Sequence, residues 1–275
     1  MAKVNEWKTA ISTNATDLIS LQHMIDCGIT AMELSVSAAC VHEIDWQGLR
    51  DHAATVGMEV WSYHLPFADT INIAAPDESA RAAAVARQCG LIDLANAIGV
   101  RRFVIHPSAE PIPDAERSAW MASAKKSLAE LAEYAAARDS VICVEDLPRT
   151  CLGHTADEML ELIAVDDRLR VCFDVNHLCT AYGCTHAEFV EKLGDKIVTT
   201  HMSDYDFIDE KHFFPGVGLI NWKSLVELLE DAGYDGPFLY EGGFSPSHWA
   251  PEKPYGTIET ARERHMTIKE LTGAE

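Results

Sequence analysis

Six short apolar runs in this chain each end in an acid or an imidazole. Trp61-Ser62-Tyr63 leads to His64, Arg102-Phe103-Val104-Ile105 to His106, and Ser140-Val141-Ile142-Cys143-Val144 to Glu145. Arg170-Val171-Cys172-Phe173 leads to Asp174, with His177 three residues on; Lys196-Ile197-Val198-Thr199-Thr200 leads to His201, and Pro237-Phe238-Leu239-Tyr240 to Glu241. Carboxylates and imidazoles are hard-to-borderline ligands for divalent cations. They are also the usual proton-transfer groups of enzymes. Glu145, Asp174, His201 and Glu241 end what count as strands five to eight. Together they carry a ligand charge near −3, which calls for a divalent cation: Mn²⁺ foremost, with Mg²⁺, Co²⁺ or Zn²⁺ as alternatives. One such residue is more often an ordinary polar strand end. Four on consecutive strands favour a shared site.

The neighbouring residues carry two readings each. His177 can share a pocket with Asp174 or cap a local helix. His64 and His106 are each followed by proline within two residues, which ends the strand and fixes the exit path; each could bind metal, touch substrate or be a satisfied buried histidine. His212 sits in a loop closed by Gly216 and Gly218 and could reach the same mouth or face solvent. Glu33, at the end of strand two, could support an imidazole or be a plain strand-end acid. Trp61, Phe67, Phe214 and Trp249 could wall a sugar-sized pocket or simply pack loops on the rim. Arg149 and Lys211 are candidate phosphate contacts or solvated rim charges. The other histidines (23, 42, 52, 154, 186, 248, 265) read as surface residues.

These groups must be held by alternating elements. Strand-like runs fall near residues 8–12, 30–36, 58–64, 101–106, 140–145, 169–174, 196–201 and 237–241. Helical stretches fall near 16–27, 45–56, 78–98, 115–137, 155–164, 185–193, 222–232 and 257–271. Thr155 and Glu158 have capping-box spacing. Gly57, Gly99 and Gly233 follow helices where a left-handed residue is wanted. Eight β-then-α units predict an α/β fold, a (β/α)8 TIM barrel, as one domain over residues 1–275. In that fold the C-terminal ends of the strands gather at one mouth, where the chemistry takes place. The Pro246–Pro254 stretch reads as a loop beside it.

The chain has 275 residues, 48% hydrophobic, with a formal charge of −21. That field repels phosphate backbones and anionic membrane surfaces. A small anionic substrate stays possible, because a bound cation inverts the local sign. The eight cysteines have no zinc-knuckle or redox spacing. Cys143 and Cys172, inside apolar runs, read as buried thiols. A leader is not evident at Met1–Val4, and no apolar run approaches the ~18 residues of a membrane span. The expectation is a cytoplasmic protein in a reducing compartment, with no nucleic-acid or membrane partner. A homo-oligomer is compatible with the reading. Gly242-Gly243 is weak evidence for an anion nest. Phosphate-loop, dinucleotide and serine-elbow motifs are absent from the sequence.

The motifs Tyr63-His64-Leu65-Pro66-Phe67, Val144-Glu145-Asp146-Leu147-Pro148-Arg149, Phe173-Asp174-Val175-Asn176-His177, His201-Met202-Ser203-Asp204 and His212 to Trp222 resemble the xylose-isomerase-like barrel superfamily, in its sugar phosphate isomerase/epimerase branch. The resemblance implies that Glu145, Asp174, His201 and Glu241 bind one divalent metal and that Glu145 and Glu241 move the proton. It also places His64, His106, His177 and His212 at positions resembling the extra ligands of the three-zinc enzyme endonuclease IV. Glu210 stands there for an aspartate, and Asp146 for the asparagine common in relatives.

The expected function is therefore isomerisation or epimerisation of a sugar or sugar derivative, through a metal-stabilised cis-enediolate. The substrate-binding set is His64, His106, His177, His212, Phe67 and Arg149. The alternatives are a phosphoesterase of the endonuclease IV type with two or three zinc ions, a keto-inositol-type dehydratase or lyase, and a barrel that binds without turnover.

Overall fold

The computed structural model describes residues 4–178 and 184–242. The helix expected at 257–271, the Pro246–Pro254 loop, Gly243, Trp249, His248 and His265 lie outside the described residues. The elements follow in strict alternation: β1 (Thr9–Thr13), α1 (Leu18–Asp26), β2 (Ala31–Ser35), α2 (Trp46–Val56), β3 (Glu59–His64), α3 (Glu78–Ala97), β4 (Arg102–Ile105), α4 (Arg117–Ala136), β5 (Val141–Glu145), α5 (Ala156–Ile163), β6 (Arg170–Asp174), α6 (His186–Leu193), β7 (Ile197–His201), α7 (Trp222–Ala232) and β8 (Phe238–Tyr240). Among the described residues, no helix is long and apolar enough to cross a membrane.

The strands read as continuous apolar runs because both of their faces are covered. One face meets the helices, through residues such as Leu128, Leu131, Phe189 and Leu229, all buried. The other face fills the barrel. Its lowest layer holds Ala10, Ala31 and Leu239 with Trp61, and above it Val104, Cys143 and Cys172 pack together. Small alanines on two strands leave room for one large indole.

The helices start where the local chemistry dictates. Asp17, Asp45, Asp77, Thr155, Thr185 and Asn221 each accept a hydrogen bond from a backbone N–H in the first turn of the helix they cap. Gly57 and Gly233 end α2 and α7 with φ of 76° and 87°, a conformation glycine adopts without penalty.

All seven ladders are parallel, in the order β7-β6-β5-β4-β3-β2-β1-β8. The fold is the (β/α)8 TIM barrel. Among the described residues β7 and β8 share no ladder. The circle is closed past the end of β7, where Met202 N–H donates to the Leu239 carbonyl at 2.8 Å and Glu241 N–H to the Met202 carbonyl at 3.3 Å. That seam sets His201 and Glu241 side by side.

Candidate metal centre

The six strand-end groups gather at one mouth. The barrel closes so tightly that Glu145, Asp174 and His201 are all 1% exposed or less. The geometry is organised around His201. Its Nε2 lies 2.9 Å from Glu33 Oε1, and Glu33 also accepts the hydroxyls of Ser12 at 3.1 Å and Ser62 at 2.8 Å. Glu33 accepts a hydrogen bond from Nε2–H, which fixes the ring and turns Nδ1 into the mouth. Nδ1 faces three carboxylates: Glu145 Oε1 at 3.1 Å, Glu241 Oε2 at 3.4 Å and Asp174 Oδ2 at 3.9 Å.

His64 and His177 repeat the pattern. His64 Nδ1 donates to its neighbour's carbonyl, Leu65 O, at 3.0 Å, and its Nε2 faces Glu145 Oε2 at 3.1 Å. His177 Nδ1 donates to Asp146 O at 2.7 Å, and its Nε2 faces Asp174 Oδ2 at 3.4 Å. Metal-binding histidines are oriented in this way, one nitrogen tied to a fixed acceptor and the other offered.

Every pair within Glu145, Asp174, His201 and Glu241 brings ligand atoms within 4.8 Å of each other. As a single group within that distance, however, it is His64 that joins Glu145, His201 and Glu241, while Asp174 groups with Glu145 and His177 and with His212 and Glu241, so the mouth brings the expected quartet together pair by pair. Two of its oxygens, Asp174 Oδ2 and Glu241 Oε2, are buried and without a hydrogen-bond partner among the described residues. A buried carboxylate oxygen without a donor is costly, and a cation would satisfy both. The donor set, three carboxylates and one imidazole, fits a hard-to-borderline divalent ion.

The electrostatics express the same crowding. Burial opposes the charge on Glu145, but His201 and His106 outweigh it and hold its carboxyl well below the usual range. At Asp174 burial wins and pushes the carboxyl up to about 8. Burial opposes the charge on His64 too, yet the Glu145 carboxylate raises the imidazole to about 9. Carboxyls this close cannot all be anionic without positive charge among them.

Two further groups flank the quartet. His106 Nε2 lies 3.3 Å from Glu145 Oε2, next to His64, so both imidazoles face one carboxylate oxygen. Phe67 stacks on His106 with ring centroids 3.8 Å apart and is 53% exposed, an open apolar wall. On the other side His177, Glu210 and His212 form an adjoining cluster that shares both histidines with the groups around Asp174: Glu210 Oε1 is 2.7 Å from His212 Nε2 and 3.7 Å from His177 Nε2. Arg149 reaches this rim too, with its guanidinium on Glu110, Asp209 and Glu210.

Some expectations fall elsewhere. Trp61 is at the opposite end of the barrel. It lines a concavity of about 480 Å³ with Arg102, Val141, Arg170 and Val198, residues from strand starts. The register between β2 and β3 slips at Met32/Glu33, and counting back from His64 does not reveal which end an indole three residues earlier occupies. Phe214 is buried against Tyr240 rather than open to a pocket. His154 and His186 are not surface residues: His154 Nδ1 lies 2.8 Å from Cys151 O, and His186 Nε2 lies 2.7 Å from Val175 O. Sequence reasoning left out Asp146 and Ser62 as supports. Asp146 Oδ1 accepts the Asp174 N–H at 2.8 Å. Asp146 directly follows the strand-end acid Glu145, a signal that could have found it, whereas Ser62 lies inside β3 with no such mark.

Comparison with known proteins agrees with this architecture. A family model described as xylose isomerase-like TIM barrel matches residues 21–262. An uncharacterized protein of Methanocaldococcus jannaschii, MJ1311, is 33% identical over 186 residues, 65% of this chain and 62% of that protein. The fructoselysine 3-epimerase of Escherichia coli O157:H7 is 29% identical over 117 residues, 40% of this chain and 42% of the enzyme. The chain thus spans less than two thirds of the length of either curated relative. The crystal structure of a D-tagatose 3-epimerase-like protein superposes with a TM-score of 0.81 at 24% identity, covering 97% of this chain and 98% of that one.

Proposed function

The chain belongs to the xylose isomerase-like TIM barrel family, and on that premise we propose that it is a divalent-metal-dependent isomerase or epimerase of a sugar or sugar derivative. The observation that carries the reading is the convergence of His201 Nδ1 with Glu145, Asp174 and Glu241 while Glu33 holds its other nitrogen. Glu145, Asp174, His201 and Glu241 would hold the ion. When bound, it supplies the positive charge that stabilises an enediolate developing on the substrate.

The chain's own groups do the rest. Glu145 and Glu241 present oxygens within 4.8 Å of one another, so both reach one small substrate. One, as carboxylate, accepts the proton α to the carbonyl, and the other, as carboxylic acid, delivers its own proton to the opposite face or to the neighbouring carbon, the two re-equilibrating with solvent between turnovers. His177 would donate to or accept from a substrate oxygen. Phe67 and His106 give the sugar an apolar and aromatic wall. Burial keeps bulk water from the carbanion-like centre. The similarity to fructoselysine 3-epimerase supports a sugar substrate.

Deuterium exchange tests this. Incubation of the metal-loaded protein in D₂O with a panel of ketoses and keto-sugars is expected to label one carbon-bound position in at least one of them. E145Q and E241Q should each lower that exchange by roughly 10²–10⁴-fold. No label across the panel, with metal bound, counts against the reading.

A second reading is favoured by the clusters outside the quartet. His64 and His106 converge on Glu145, and His177, Glu210 and His212 on each other. Two or three cations could then be held, as a metal-dependent phosphoesterase requires. About one ion per chain supports the isomerase. Two or three, with hydrolysis of a small phosphodiester, support the phosphoesterase.

A further inference from the structure

We propose that the end of the barrel where the strands start, opposite the metal centre, is a binding site for a small oxyanion-bearing metabolite, a phosphate ester or a dicarboxylate, held by Arg102 and Arg170 beside Trp61. The inference does not depend on the reaction proposed above.

The floor of the barrel departs from the usual filling. Val104, Cys143 and Cys172 pack together inside it. Residues two apart on a strand share a face, so Arg102 at the start of β4 and Arg170 at the start of β6 belong to the same interior, one layer lower. Interior layers of such barrels are ordinarily bulky and apolar. Here two guanidinium groups take those places, on the concavity of about 480 Å³ that Trp61 and Val198 also line.

Both register shifts between the described strands fall at this spot. β3 has one residue more than β2 opposite Met32 and Glu33, and the extra residue is Trp61. β7 has one more than β6 opposite Val171 and Cys172, and the extra residue is Val198. A bulge bends its strand and re-aims a side chain, and bulges gather at barrel rims and beside sites. The two bulged strands meet across the floor, where the Trp61 indole Nε1–H donates to Thr199 Oγ1 at 3.3 Å. The Arg102 guanidinium carbon lies 3.5 Å from the centroid of the same indole. That attraction between cation and ring face holds the group in place and uses none of its N–H donors.

Those donors suit an anion. The chain carries 43 acidic residues against 22 basic ones, and Arg81, Arg117, Arg138 and Arg149 each hold a carboxylate. Among the described residues Arg102 and Arg170 hold none. Arg170 places Nη1 on the carbonyls of Asp167 and Leu169, both at 2.8 Å, and keeps Nε and Nη2 for another acceptor. Arg168, also on the lining, is turned to Asp166. The exposed Asp139 and Asp235 line the concavity too, but neither makes an ion pair with Arg102 or Arg170. Burial pushes the Cys143 thiol up to about 12, and Arg102 and Arg170 both pull it back, so the fields of the two groups overlap just above the floor. A phosphate or a carboxylate offers the paired oxygens that a guanidinium fork matches. The volume admits the body of a small metabolite as well as its anionic head.

Calorimetric titration of the metal-loaded full chain with inorganic phosphate, glycerol phosphate and succinate, each against chloride at equal ionic strength, tests this. Saturable binding of at least one of them is expected. Tighter binding of a phosphate than of succinate identifies a phosphate ester as the ligand class, and the reverse a dicarboxylate. R102Q and R170Q should each weaken the tighter probe by about 10–100-fold, the loss of a charge-assisted pair. R102K, which keeps the charge without the fork, should weaken it too, by less than R102Q. E145Q, at the metal centre, should leave that affinity within about 2-fold, as a distant site does. No saturable binding of any probe overturns the proposal, as does an affinity that R102Q and R170Q leave unchanged. Loss of binding in E145Q also overturns it, because the anion then sits at the metal centre. If R102Q and R170Q do not fold, R102K decides, and wild-type affinity in that variant is the overturning result.

Discussion

At the scale of single residues, the site turns on which nitrogen of His201 is left to face the carboxylates. Glu33 decides this by accepting from Nε2 at 2.9 Å, with Ser12 and Ser62 holding the carboxylate still. An amide at position 33 can donate as well as accept, so the imidazole would lose its enforced tautomer. E33Q is therefore expected to lower metal affinity by about 10–100-fold with little change in secondary structure, measured by calorimetry and circular dichroism. Unchanged affinity in E33Q would remove the tautomer argument. Much of this was legible in the chain. The four metal candidates were readable because each ends an apolar run; Glu33, expected at the end of strand two, instead lies in the middle of β2. The partners were not, since a hydrogen bond between positions 33 and 201 joins β2 to β7 across the barrel, and no local pattern encodes it.

Elements explain why these residues hold their places. Asp204, three residues past the end of β7, accepts the N–H of Tyr205 at 2.9 Å, of Gly216 at 2.8 Å and of Ile220 at 3.0 Å, and the Trp222 indole N–H at 2.9 Å. It folds the long β7–α7 loop back so that His212 meets Glu210 and the mouth. Gly218 must be glycine, since any side chain would collide with the Asp204 carboxylate and the Tyr205 carbonyl. The two glycines flag a tight loop in the sequence, but the aspartate at its hub looks like any polar loop residue.

Elsewhere α4 and α5 are joined by Arg117, whose Nε donates to Glu158 Oε1 at 2.6 Å, and His154, just ahead of α5, lies 3.3 Å from the same carboxylate. Burial alone would raise the Glu158 carboxyl, but His154 and Arg117 outweigh it and lower it to about 2. A carboxyl depressed in the folded state adds stability that is complete above its unfolded value, near 4.5. The contribution fades as pH falls from there through about 2. E158Q should thus cost about 2 kcal/mol at pH 7, after discounting for partial exposure. The difference from wild type should close as the solution is acidified, read by denaturant melts between pH 7 and 3. A gap independent of pH would contradict the ion-pair account.

For the molecule as a whole, the alternation of runs and helices was enough to give the barrel, because parallel strands buried on both faces are written as uninterrupted apolar segments. Observed strands begin and end within a residue or two of the expected runs, from Thr9–Thr13 to Phe238–Tyr240. Which end of the barrel an aromatic occupies was harder to read, as Trp61 illustrates: strand periodicity separates faces, whereas height along the strand depends on register and stagger. The chain's charge of −21 spreads over the surface and says little about the site, whose own excess of carboxylate is internal.

The barrel's weakest joint and its chemistry coincide. Among the described residues, β7 and β8 are stitched only at Met202 and Tyr240, and His201 and Glu241 flank that stretch from either side. A cation gripping both residues would rivet the cylinder shut, so filling the centre doubles as fastening the wall. Backbone amide protons of Met202 and Glu241 should then exchange with solvent measurably more slowly in the loaded protein than after chelation, while those in the β4–β5 ladder stay unaffected.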